Sequence, residues 1–348
     1  MNGSDSLTVK AVINIQTILS QVFKHSAQHN ALVVFDTQCE LSRLLSEAYK
    51  VVLPDAQFID FDTHTPAQIH AAFGQLKALD LVVLVQSTNF RLEAFRIRVE
   101  LFKRGLKVIE HPHLSRMQGD EMALYIDALA YDGAYFRGVG QGLKSIIDQA
   151  QVGVLDSSGT AFPEARLYID SGFESAKLNV GDYSSMPNVG GQFPIGEVFT
   201  EARNLEAVNG RVRIHAFGDT QFRVNRPATP ITLIVEKGQV VGTLDSTPEF
   251  DTVLANIRAD EQVVWLREIG LGLNRAFTQH PSRTVSDIGT YERMCGVHIS
   301  LGAKHGIYPK PGFKRNDGKH HVDVFAVTEL LTLDDKVVYQ NGAWVVSG

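Results

Sequence analysis

Residues 31–52, ALVVFDTQCELSRLLSEAYKVV, decide the fold of the first half of the chain. ALVVFDT (31–37) is a short apolar run closed by polar residues, the pattern of a buried strand. In CELSRLLSEAYKVV the apolar residues return three and four positions apart, which is the period of a helix with one buried face. Strand followed directly by helix is half of a βαβ unit, and the chain repeats it. QFIDFD (57–62) is a second strand, and THTPAQIHAAFGQL opens with threonines and a proline, the composition of a helix start. A third strand covers 80–87. RLEAFRIRVELFKRG reads as a helix ending in glycine, LKVIEHP as a fourth strand, and GVGQGLKSIIDQAQ holds the last helix. This alternation predicts a parallel sheet covered by helices over residues 1–155.

Beyond about residue 155 the texture changes. ARLYIDS, AKLNVGD, RVRIHAF and ITLIVEKGQVVGTL are short β-type runs separated by glycine, proline and asparagine. Glu236-Lys237-Gly238 is a hairpin turn by composition, and DDKVVYQNGAWVV contains another. One helix, near EFDTVLANI, interrupts them. Residues 156–348 therefore read as a β-rich α+β domain, without an internal repeat or a low-complexity linker.

Composition narrows the function classes. The 348 residues are 44% hydrophobic and 21% charged, with a formal net charge of −6. That is a soluble globular composition, and its acidity argues against sequence-independent nucleic-acid binding. No apolar run reaches bilayer-spanning length. The opening MNGSDSLTVKAVINIQTIL has neither the basic start nor the unbroken apolar block of a secretory signal. Cys39 and Cys295 form no disulfide framework and no metal-ligand spacing, so a cytoplasmic location is expected.

The residues with chemical potential lie in the second half. In KHHVDVF (319–325) strand alternation puts His321 and Asp323 on one face and Val322 with Val324 on the other. An imidazole beside a carboxylate, opposite an apolar face, suits a divalent metal. Glu197 follows a Gly/Pro loop at the head of EVF. Glu268 lies between apolar WL and IGLGL, where burial demands a partner or a metal. In CGVHISLGA, His298 and Ser300 share a face opposite Val297, Ile299 and Leu301. These three carboxylates and two imidazoles match the ligand chemistry of a pair of hard-to-borderline divalent cations such as Zn, Co, Mn or Mg.

The ordered set PIGEVFT, REIGLGLNRAF, GVHISLGA and HHVDV resembles the aminopeptidase T class of metallopeptidases, the thermophilic-type leucyl aminopeptidases. The likeness spans most of residues 165–325. It implies Glu197, Glu268, His298, His321 and Asp323 as ligands of two metal ions (Zn, Co or Mn). It further implies hydrolysis of a small peptide or amide substrate and a homodimer whose site faces an enclosed cavity. The family's tyrosine seven residues after the motif histidine is replaced here by His305, and the nearest tyrosine is Tyr308. Either would be the group that stabilises a tetrahedral oxyanion. The segment YPKPGFKRNDGKH is shorter and more basic than in the family.

An alternative within the superfamily is an iron-dependent dihydroxypyridine ring-cleaving dioxygenase. Those enzymes keep the HxD pair, carry a histidine at the Glu268 position and are apolar at the positions of Glu197 and His298. The retention of both residues here favours the two-metal hydrolase. GVGQG (138–142) is no dinucleotide loop: its spacing is G-x-G-x-G, and the first strand-to-helix turn, in ALVVFDTQCE, has no glycine. Lys310, Lys314, Arg315 and Lys319 make a basic loop suited to a substrate carboxylate.

Overall fold

The computed structural model describes residues 3–90, 92, 97–159, 164–310, 313 and 318–346. The chain forms two compact units: residues 1–133 with 181–195, and residues 134–180 with 196–348.

The first unit is built on a five-stranded sheet. Its order is Gln57–Asp60, Ala31–Phe35, Leu81–Val85, Lys107–His111 and Gly190–Gln192, with every described pairing parallel. Ala31–Phe35 and Leu81–Val85 are buried at every position, as their unbroken apolar sequence requires. The expected helices follow as Glu40–Val52 and Pro66–Gln75, the latter capped by Thr65 through a reciprocal bond with Gln68. Of the helix expected over 91–105 the described part is Ile97–Lys103, and residues 91 and 93–96 lie outside the description. Two helices go beyond the sequence reading, Gly3–Gln21 and Asp120–Ala128.

Among the described residues the second unit is built on one large antiparallel sheet of fourteen strands. Five strands matter for the site, and in space they run Val208–Gly218, Val322–Ala326, Gly296–Leu301, Leu266–Gly272, Glu197–Glu201. The hairpin Ile231–Glu236/Gln239–Leu244 turns at Lys237 and Gly238, whose positive φ angles of 49° and 72° are those of a tight primed turn. Helix Pro248–Glu261, capped by Thr247, packs on this sheet with the Phe217 and Phe250 ring centroids 4.8 Å apart. Among the described residues no helix is long and apolar enough to cross a membrane.

The units divide differently from the expected change at residue 155. Helix Gly133–Ile147, which contains GVGQG, falls almost wholly in the second unit, and 181–195 returns to the first. The cause is strand pairing. Gly190–Gln192 completes the parallel sheet beside Lys107–His111, whereas Gly153–Asp156 pairs with Arg166–Ile169 and Leu330–Leu333. Periodicity identifies a strand but carries no information about its neighbour.

Candidate metal centre

Strand register gathers the candidate ligands on one face of the second unit. Glu197 stands opposite Gly272, His298 opposite both Gly270 and Phe325, and Ser300 opposite Asp323. Side chains two apart share a face, so Glu268 joins Gly270 and Gly272 on that face. The glycines create the space. A Cβ on Gly270 would lie 2.0 Å from the His298 ring, and one on Gly272 would lie 2.0 Å from the Met294 carbonyl.

Glu197, Glu268 and His298 each offer a ligand atom, all within 4.8 Å of one another. His298 Nε2 is 3.4 Å from Glu197 Oε1 and 3.9 Å from Glu268 Oε1, and the ring is 1% exposed. His321 precedes its strand by one residue, yet Nε2 lies 3.3 Å from Asp323 Oδ1, as the strand period requires. His321 Nδ1 donates to the Lys304 carbonyl at 3.1 Å, which leaves Nε2 as the atom that could coordinate. His320 turns away, with Nε2 2.7 Å from Asp260.

The electrostatics bind the group together. Burial pushes Glu268 up, but the imidazoles of His298 and His305 beside it and the charge of His321 outweigh it and hold Glu268 well below the usual range. Burial likewise opposes charge on the two imidazoles. Glu197 and Glu268 nevertheless raise His298 well above its ordinary value, and Asp323 and Glu268 carry His321 to about 10. Asp323 is lowered in turn, because His321 and His298 outweigh the effect of its burial.

The donor set fits a divalent cation. Neither ring nitrogen of His298 has a hydrogen-bond partner, nor does Asp323 Oδ1, although all three atoms are buried. Orphaned polar atoms of this kind are costly in an interior, and carboxylates with imidazoles are the donors that Zn, Co and Mn take.

The remaining candidates divide. His305 Nδ1 accepts the backbone N–H groups of Ile307 and Tyr308, at 3.2 and 3.3 Å, so the ring proton belongs on Nε2. That nitrogen lies 2.9 Å from Glu268 Oε2, beside the cluster. The Tyr308 hydroxyl is occupied elsewhere, 2.8 Å from the Ser175 carbonyl and 3.2 Å from that of Phe199. With its single proton held there, it anchors a loop and has none left for an oxyanion. Nor does the basic loop remain free for a substrate carboxylate. Lys310 is buried against Glu174, Glu201 and two backbone carbonyls, and Lys319 pairs with Asp260. Lys314 and Arg315 lie outside the described residues.

Sequence reasoning missed Glu292 and Arg293. Arg293 Nη1 is 2.8 Å from Glu197 Oε2 and 2.8 Å from Glu292 Oε2, so a fixed guanidinium sits against one candidate ligand. Burial, with the Asp323 charge nearby, pushes the Glu292 carboxyl well above its ordinary value. The signal was present: YERMC puts two charges among apolar residues, the same anomaly that marks Glu268.

No protein-family model matches the chain, and no curated protein matches it. The likeness found is one of fold: at 13% sequence identity and a TM-score of 0.55, covering 97% of this chain and 99% of the other, the structure is similar to that of wild-type AmpT from Thermus thermophilus.

Proposed function

We propose that this protein is a metal-dependent hydrolase that releases N-terminal residues from short peptides. The observation that carries the reading is the buried group Glu197, Glu268 and His298, with the His321–Asp323 pair beside it. These five side chains would hold two divalent ions, Zn, Co or Mn. Bound ions of that kind supply a water activated at neutral pH, a polarised scissile carbonyl and a seat for a free substrate amine.

The chain's own groups prepare that chemistry. Arg293 fixes the Glu197 carboxylate and offsets its charge. Ser300 Oγ accepts the backbone N–H of Glu268 at 2.9 Å and so ties two ligand strands together. His305 keeps its ring proton on Nε2, 2.9 Å from Glu268 Oε2, and so orients that carboxylate. The likeness in fold to an aminopeptidase T supports the same reading. Glu197 and His298 both lie in the buried group, and a one-iron dioxygenase has no use for them.

The test is hydrolysis of short peptides by protein loaded with Co or Zn, each peptide compared with its N-acetylated form. Free-amine peptides should be cut and acetylated ones spared. A broad free-amine panel left intact at full loading overturns the peptidase reading. Two equivalents of a redox-inert metal support the hydrolase, while one tightly held iron supports the dioxygenase. The reading also includes a cytoplasmic homodimer, against which a monomeric mass at micromolar concentration would count.

A further inference from the structure

Helix Pro248–Glu261 ends on two acidic residues, Asp260 and Glu261. Negative charge at a helix C-terminus is opposed by the helix dipole, so a carboxylate there calls for a compensating partner. The two residues find different ones. Asp260 binds side chains only, Lys319 Nζ at 2.9 Å and His320 Nε2 at 2.7 Å. Glu261 binds backbone: Oε1 accepts the N–H groups of Lys319 and His320 at 2.6 and 2.8 Å, and Oε2 accepts that of Ala303 at 2.7 Å.

Those three amides belong to the two segments that aim His321. Lys319 and His320 lead directly into it. Ala303 follows the strand of His298 and precedes Lys304, whose carbonyl receives the Nδ1 proton of His321 at 3.1 Å. Lys304 N in turn donates to the His320 carbonyl at 3.0 Å. Glu261, Ala303–Lys304 and Lys319–His321 thus close a ring of hydrogen bonds around the imidazole. One carboxylate holds both the backbone that carries His321 and the backbone that orients it.

We propose that Glu261 is a positioning residue for His321: it fixes the ring so that Nε2 stands beside Asp323. The inference rests on the metal-site reading and adds to it a residue that touches no ligand atom. Neighbours of this kind typically change metal affinity about 10–100-fold when altered.

The experiment uses the full chain as wild type, Glu261→Gln and Asp260→Asn. Glu261→Gln keeps the size but replaces one carboxylate oxygen with a donor facing backbone donors. In the metal-free protein, amide hydrogen exchange at Ala303, Lys319 and His320 should quicken in Glu261→Gln alone. The dissociation constant for Co, by direct titration, should rise about 10–100-fold in Glu261→Gln and stay within about twofold in Asp260→Asn. Faster exchange with wild-type Co affinity overturns the positioning role, and so does an equal loss in Asp260→Asn, which would mark a general weakening of the helix end. Wild-type protein that binds no Co overturns this inference and the metal site together, whereas metal binding without peptide cleavage sinks only the peptidase reading. Should Glu261→Gln fail to fold, Glu261→Asp carries the same comparison, since it keeps the charge and draws it back by one methylene.

Discussion

Gly270→Ala tests the register of the candidate metal centre without replacing a candidate ligand. The added Cβ would lie 2.0 Å from His298 Cε1, 2.1 Å from Nε2 and 2.7 Å from Nδ1. Ordinary carbon contacts begin at 3.4 Å, so the ring or its strand must give by about 1.4 Å. Metal–ligand distances tolerate only about 0.2 Å, so the displacement exceeds the tolerance roughly sevenfold. The ring has little room to retreat, being 1% exposed with the Phe325 ring centroid 5.9 Å away. Overpacking of this kind costs about 1–3 kcal/mol. Denaturant unfolding of the metal-free protein should show that loss, and titration with Co should show affinity reduced by at least about tenfold. Gly242→Ala is the size-matched control: it also lies in a strand, and its Cβ would meet only Ile234 Cδ1, at 3.6 Å. In a His298→Ala background the cost of Gly270→Ala should largely disappear, because the clash has lost its partner. Wild-type stability and Co affinity in the single variant would refute the cradle, and an undiminished cost without the His298 ring would place its cause elsewhere.

Other outcomes follow from the same geometry. His321→Ala should abolish loading of its metal while His320→Ala spares it, since His320 is held by Asp260; metal content after dialysis decides, and the reverse result refutes the register. The neighbouring carboxylates raise His298 and His321 and so favour their protonated forms in the metal-free protein, and a metal must compete with those protons. Calorimetry at pH 7.5 in buffers of different ionisation enthalpy should report net proton release on loading, with affinity falling as pH falls; no buffer dependence counts against both imidazoles as ligands. The same raised values place His321's contribution to metal-free stability fully below about pH 6.5, lost as pH rises through about 10. Arg267→Met leaves the fully buried Glu201 without its closest cation and should cost about 3–5 kcal/mol in urea unfolding, an effect absent if Lys310 alone suffices.

Much of this was legible in the chain, and the gaps have physical causes. The parallel strands announce themselves because burial on both faces leaves no polar residue inside ALVVF or LVVLV. Helix Gly3–Gln21 buries Ala11, Ile15, Ile18 and Leu19, a helical period that stays unseen when the segment is read only against a secretory signal. The His321–Asp323 pair follows from strand alternation alone. The grouping of Glu197, Glu268 and His298 does not, because it depends on which strands are neighbours. It was legible through the order of four motifs and not through their periodicity. In IGLGL nothing marks Gly270 and Gly272 as special; only the opposing strand shows what a side chain there would strike. Arg293 and Glu292 lie in a loop, where no period marks direction.

The candidate ligands sit on or next to neighbouring strands that are far apart in sequence: the strands of Glu197 and Glu268 pair directly although the two residues are 71 positions apart. Such pairings form slowly, because the loops between them must close before any contact repays the closure. On a collapsing chain a metal ion therefore meets at most the local His321–Asp323 pair; the proposed full coordination sphere exists only once the strands stand in register. Contacts made after the rate-limiting step leave the folding rate unchanged and act on unfolding. Metal should accordingly lengthen the life of the folded sheet without hastening its formation, so that the loaded protein resists denaturation in time more than its refolding rate would indicate.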